Sequence, residues 1–112
     1  MTQPIDNLNV IAELAKRISQ RRLSSPDASY TARLLQEGIA KCAKKFGEEA
    51  VELALAAVLA NRPDIRSEAA DTLYHLLVLL EASNVPLSDV LAELDDRMKQ
   101  SGLEERASRK RP

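Results

Sequence analysis

Tryptophan is absent, and one phenylalanine and two tyrosines are the whole aromatic complement. A core without large rings has to be filled by Leu, Ile, Val and Ala, a set that favours helices over strands. The single cysteine, Cys42, excludes an internal disulfide and suits a reducing compartment. Charge of one sign is not in excess: 16 Lys and Arg face 17 Asp and Glu, for a net charge of −1. That balance gives no general attraction to nucleic acid or to an anionic membrane, so neither is expected as a partner. No apolar run nears the roughly 18 residues that a membrane span needs. MTQPIDNLN lacks a basic stretch followed by an apolar one, so no secretory signal is expected and the protein reads as soluble and cytoplasmic. Strand alternation, an Asn-Gly hairpin signal and internal repeats are missing too.

What is present is 45% apolar and 29% charged residues over 112 positions. That suffices for one domain with a modest core, small enough for oligomerisation to help it. Helical periodicity covers residues 6–22 through Leu8, Ile11, Ala12, Leu14, Ala15 and Ile18. Asp6 or Asn7 is its N-cap, and Arg17, Arg21 and Arg22 suit its negative end. LSSPDAS breaks the pattern, Ser29 caps a short helix over 30–37, and Gly38 stops it. A long helix follows from Ile39 to Ala60, with Ile39, Cys42, Ala43, Phe46, Ala50, Leu53 and Ala57 on one side. Lys41, Lys45, Glu48 and Glu52 line the other, and Glu49 sits on the border. Gly47, inside this helix, costs roughly 1 kcal/mol against Ala. It is either tolerated or marks the close approach of another backbone or a ligand.

Asn61 to Asp64 punctuate the chain, with Pro63 and Asp64 suited to a first helical turn. The helix over 63–83 contains AADTLYHLLVLL, apolar almost all round and therefore expected at the centre. Asn84, Val85 and Pro86 end it, and a last amphipathic helix runs from Leu87 to Gln100, with Gly102 as its stop and a frayed tail over about 103–112. The expected fold is all-α: an antiparallel bundle of four long helices and one short one.

The chemistry concentrates in carboxylates. Glu48, Glu49 and Glu52 fall within two turns of one helix, and Glu68 and Asp71 one turn apart on the next. A solvated face with ion pairs worth some tenths of a kcal/mol accounts for Lys44, Lys45, Glu48, Glu49 and Glu52 taken alone. It does not account for Glu68, Asp71, Thr72 and His75, a polar stripe on an otherwise apolar cylinder. A buried carboxylate without a partner costs several kcal/mol or becomes protonated. A divalent cation bridging both helices resolves this, and oxygen ligands select Mg²⁺ or Mn²⁺ over softer metals. His75 fits a hydrogen-bonding or supporting role better than that of a ligand. Lys41, Lys44 and Lys45, on the turns before Glu48, suit phosphate oxygens. The residues alone thus reach metal-dependent hydrolysis or transfer at a polyphosphate, with the substrate unnamed.

The spacing Glu49-x-x-Glu52, fifteen residues, Glu68-x-x-Asp71 resembles the signature of the all-α nucleoside triphosphate pyrophosphatases, the MazG-like superfamily. With SYTARLLQEGIAKCAKKFGEEAVE (29–52), EAADTLYHLLVLL (68–80), DVLAEL and Arg97, the chain resembles the phosphoribosyl-ATP pyrophosphatase family from about Ser29 to Arg97. The resemblance implies a homodimer that hydrolyses the α–β phosphoanhydride of phosphoribosyl-ATP with Mg²⁺, the second step of histidine biosynthesis. It further implies that Glu49, Glu52, Glu68 and Asp71 hold metal, with Glu48 as a further ligand or orienting the attacking water. Lys41, Lys44 and Lys45 would meet phosphates, and Ser29, Tyr30, Thr31 and His75 would enclose the nucleotide. The general base stays unassigned. Cys42 stands where that family more often has a larger aliphatic residue, and Thr72 where it often has Leu. The family's domain is often fused to the cyclohydrolase of the next step, for which this chain has neither the length nor the cysteines, so a stand-alone enzyme is expected. A housecleaning pyrophosphatase for non-standard triphosphates and a non-catalytic helical module are the rival readings.

Overall fold

Helix boundaries fall at residues whose local chemistry stops or starts a helix. The computed structural model describes residue 7 and residues 9–100. The readings made for Asp6, Leu8, Gly102 and the tail lie outside these. α1 spans Asn9–Gln20 and runs into a 3-10 turn, Arg21–Leu23; α2 is Tyr30–Glu37, α3 Ile39–Val58, α4 Arg62–Ala82 and α5 Leu87–Met98. The fold is all-α. Ser29 Oγ accepts the Ala32 amide at 3.1 Å, and Asn61 Oδ1 accepts the Asp64 amide at 3.2 Å, each satisfying a donor left over at a helix start. Pro63 lies in the first turn of α4, where its missing N–H costs nothing, and Asp64 faces the positive helix end. Gly38 breaks α2 from α3 at φ 99°, a region closed to most side chains.

The core joins one element to the next around α4. Ile18 of α1, Leu34 of α2, Cys42 of α3, and Leu77 and Val78 of α4 form one buried cluster. Truncating one of these leucines to Ala costs about 2–5 kcal/mol in transfer and cavity terms. Cys42 Sγ donates to the Leu34 carbonyl at 3.3 Å, and burial, followed by the charge of Glu37, pushes its thiol above the usual range. Arg22 donates to both the carboxylate and the backbone carbonyl of Glu81 and, at 3.4 Å, to Asn84 Oδ1. A cation is thereby held at the C-terminal end of α4, where the last carbonyls lack helical partners.

α3 and α4 form a hairpin with the most extensive helix pairing in the chain. Cys42, Phe46, Glu49, Leu53 and Ala56 recur at alternating intervals of four and three, and all are buried or half-buried. Ile65, Glu68, Thr72, Leu76 and Leu79 on α4 are half-buried at similar spacing. This seam corrects the expected face of α3: Ile39, Ala43 and Ala57 are exposed, and Ala56 is buried in place of Ala57. An alanine-rich helix offers little contrast between faces, and packing against α4 decides the orientation. The core lies at the end of the hairpin where α3 starts and α4 finishes. The opposite end is bare, with Leu55, Val58 and Leu59 exposed.

The chain turns through 112° between α4 and α5, far from the near-reversal that an antiparallel neighbour needs. α5 has no buried residue and no extensive pairing with another helix, and Leu91, Leu94 and Met98 face outward. No single helix among the described residues is long and apolar enough to cross a membrane.

Gly47 is half-buried, yet a Cβ built there meets no heavy atom within 4 Å, so the chain's own backbone is not what requires it. Gly47→Ala is expected to stabilise the protein by about 0.5–1 kcal/mol through the lower entropy of its unfolded state. The measurement is the urea midpoint, which should rise with an unchanged slope.

Candidate active site

Two of the seam positions carry acids. Glu49 of α3 and Glu68 of α4 are half-buried and Asp71, one turn on, is exposed; one oxygen of each carboxylate lies within 4.8 Å of the others. Glu68 Oε1 is buried without a hydrogen-bond partner among the described residues. Desolvation, then the charges of Glu52, Glu49, Asp71 and Asp64, raise the Glu68 carboxyl above its ordinary value of 4.5. An orphaned buried oxygen inside an all-oxygen donor set drawn from two helices suits a hard divalent cation.

The other acids expected here divide. Glu52 is exposed and outside the three-oxygen group, but among the neighbouring charges it acts most strongly on Glu68. Glu48 is exposed and pairs with Lys45 at 3.6 Å; the same ammonium stands 4.0 Å from Glu49. Tyr30, and after it Glu48 and Glu49, raise the Lys45 ammonium above the ordinary lysine range against the opposing effect of desolvation. Lys45 therefore stands between the start of α2 and the acids. Lys41 and Lys44 are exposed and make no ion pair among the described residues.

A polar and aromatic wall stands beside the carboxylates. Ser29 spends its oxygen as an acceptor on the cap of α2. Tyr30, under the Arg33 guanidinium at 5.8 Å, sets its ring perpendicular to His75 with centroids 6.3 Å apart. His75 is buried, and Tyr74 meets it edge-on at 4.9 Å. The Nδ1 of His75 has no partner among the described residues, and desolvation, outweighing the pull of Glu49 and Asp71, lowers its pKa and keeps the ring neutral. Thr31 shares a hydrogen bond with the Tyr74 hydroxyl, which ties the start of α2 to α4.

Sequence reasoning missed the parts of Tyr74 and Thr72. Periodicity marks Tyr74 only as a residue of an apolar helix, and its hydroxyl acquires a partner once α2 lies against α4. Thr72 Oγ1 lies 3.1 Å from the Glu49 carbonyl and 2.7 Å from that of Glu68, contacts no local spacing announces.

Without metal, folded Glu68 holds its proton more tightly than the unfolded chain does. The stability carried by that proton is complete below the ordinary value of 4.5 and is lost as pH rises through the higher folded value. Thermal unfolding in EDTA across a pH series should show this loss in the parent chain and a flatter profile in Glu68→Gln. That variant should also melt higher at pH 7; superimposable profiles would contradict the assignment.

Comparison with known proteins meets this geometry from another side. The profile described as phosphoribosyl-ATP pyrophosphohydrolase matches residues 11–98, which takes in all five helices but the first two residues of α1. A phosphoribosyl-ATP pyrophosphatase of Paracoccus denitrificans is 58% identical over 97 residues, covering 87% of this chain and 90% of the relative. Relatives of the same name from Methylobacterium nodulans and Azorhizobium caulinodans are 53% identical over 102 residues and 54% over 101. These alignments cover 91% and 90% of this chain and 95% and 93% of the relatives. Identity of this order over nearly the whole of both partners, together with a profile match to residues 11–98, leaves one conclusion: the chain belongs to the phosphoribosyl-ATP pyrophosphohydrolase family.

Proposed function

We propose that this chain is a soluble cytoplasmic enzyme that hydrolyses the α–β phosphoanhydride of phosphoribosyl-ATP, in the second step of histidine biosynthesis, with Mg²⁺ or, in its place, Mn²⁺. The observation that carries the reading is the cluster of Glu49, Glu68 and Asp71, with one oxygen of each within 4.8 Å and one buried Glu68 oxygen unpartnered. These three residues would hold the cation, with Glu52 next to them. When bound, the cation polarises phosphate oxygens and offsets their charge. Lys45, with Lys41 and Lys44 on the preceding turn, would take up the remaining negative charge of the triphosphate. Glu48, exposed and only loosely paired with Lys45, would be a further ligand or would accept a hydrogen bond from the attacking water and orient it. The water oxygen bonds to one phosphorus as the bridging oxygen leaves with the other, giving phosphoribosyl-AMP and pyrophosphate. Tyr30, Thr31 and the neutral His75 would wall in the nucleotide.

The same reading calls for a second copy of the chain. Leu55, Val58 and Leu59 at the bare end of the hairpin and Leu91, Leu94 and Met98 on α5 are all exposed, with Met98 at 77%. Large apolar patches of this kind rarely stay in water on a small domain. A twin subunit is the occupant that the resemblance implies.

Turnover of phosphoribosyl-ATP should exceed that of a panel of nucleoside and deoxynucleoside triphosphates in kcat/KM. A strong preference for a free deoxynucleoside triphosphate would instead assign the site to housecleaning. Glu49→Gln and Asp71→Asn should each lower kcat about 10²- to 10⁴-fold while circular dichroism stays native; unchanged rates would leave only a helical interaction module. Sedimentation should find a dimer for the parent chain and a monomer for the pair Leu55→Glu and Leu59→Glu, and a parent chain that sediments as a monomer would remove the twin subunit.

A further inference from the structure

We propose that Thr72 is a positioning residue for the carboxylate cluster, acting through the backbone of Glu49. This rests on the cation reading of that cluster given above. Among the described residues, the contact of Thr72 Oγ1 with the Glu49 carbonyl at 3.1 Å is the one side-chain hydrogen bond between α3 and α4, and no ion pair joins the two helices. It falls where they most need one. Glu49, Glu68 and Asp71 repel one another across the seam, and Leu53 and Ala56 farther along α3 offer no polar tie.

What the hydroxyl holds matters as much as where it is. A carbonyl oxygen has two lone pairs, of which the helix ladder uses one, so the Glu49 carbonyl can accept from Thr72 without giving up its helical bond. The tie grips the α3 backbone and does not itself occupy either carboxylate oxygen of Glu49. Thr72 also follows Asp71 directly and reaches the Glu68 carbonyl at 2.7 Å, so a single half-buried side chain touches or adjoins every residue of the cluster. The hydroxyl has one proton to share between the two carbonyls. A purely intrahelical bond to Glu68, common for Thr in helices, is the competing account, and it assigns Thr72 no influence on Glu49.

Thr72→Val and Thr72→Ala remove the hydroxyl, and Thr72→Ser keeps it. Binding of Mn²⁺ to the full chain, followed by loss of the free-ion EPR signal, is read beside the melting temperature in EDTA. The two hydroxyl-free variants should bind Mn²⁺ about 10- to 100-fold more weakly while melting within a few degrees of the parent, and Thr72→Ser should bind as the parent does. The Mg²⁺ concentration for half-maximal turnover should rise in step, with kcat at saturating Mg²⁺ nearly kept. Parent-like Mn²⁺ affinity in either hydroxyl-free variant overturns the positioning role, as does a Thr72→Ser variant as weak as Thr72→Val. Failure of both hydroxyl-free variants to fold overturns it too, by making the hydroxyl a requirement of the fold. A parent chain that binds no Mn²⁺ overturns the cation reading itself, and this inference with it.

Discussion

Like charge set into an apolar seam is the constraint that organises this protein. α3 and α4 pack through residues at alternating intervals of four and three, and at the middle of that row Glu49 and Glu68 replace the aliphatic residues that would hold the helices together. Burial and repulsion act in the same direction on Glu68, whose buried oxygen has no partner. A seam designed for stability alone would carry leucine there. With acids in those places, cohesion has to come from elsewhere along the hairpin.

It comes from one end. Leu34, Cys42, Leu77 and Val78 close the seam where α3 begins and α4 finishes, and α1 adds Ile18 to the same cluster. The acids follow immediately, and beyond them only Leu53, Ala56 and Ile65 continue the seam, while Leu55, Val58 and Leu59 stay exposed towards the Ala60–Asn61 turn. The carboxylates thus sit at the border between a packed half and an uncovered half. α4 can serve both because its faces differ in company: one side meets α1 and α2, another meets α3. Tyr74 and His75 are products of this arrangement, the first half-buried against the core and the second buried, yet close enough to Glu49 and Asp71 for those charges to act on the imidazole.

The sequence revealed what is decided within a few residues. Ser29, Gly38, Asn61 and Pro63 act on their own turn, and the helix ends from Gln20 onward came within two residues of their places, while α1 starts at Asn9, three residues after the expected position 6. The acidic cluster was legible for the same reason, because spacing on one helix fixes a face, and Glu68 and Asp71 fall with Thr72 and His75 on a polar stripe of an otherwise apolar helix. What depended on how helices lie against one another was not legible. Ala56 and Ala57 differ in burial through the packing of α4, not through their own chemistry. Asp71 joins Glu49 and Glu68 while Glu52 stands aside, though both were equal members of the spacing. The direction of α5 is set at Ser83–Pro86, where Asn84 takes φ 60°, and an amphipathic pattern does not reveal it.

Fold stability and ion affinity are coupled in such a site. A ligand that binds only the folded chain adds RT ln(1 + [L]/Kd), about 2.7 kcal/mol at a hundredfold excess over Kd. Here that gain would fall on the segment where the seam is weakest, since the acids that hold the ion are the ones that repel. The bare end of the hairpin has the opposite need, for apolar cover. A cation would relieve one deficit and a protein surface the other, and Glu49 and Leu55 lie less than two turns apart on α3. Each would then strengthen the other: closing the bare end fixes the register of Glu49 against Glu68, and neutralising the acids removes the force that separates the helices on which a twin subunit would rest.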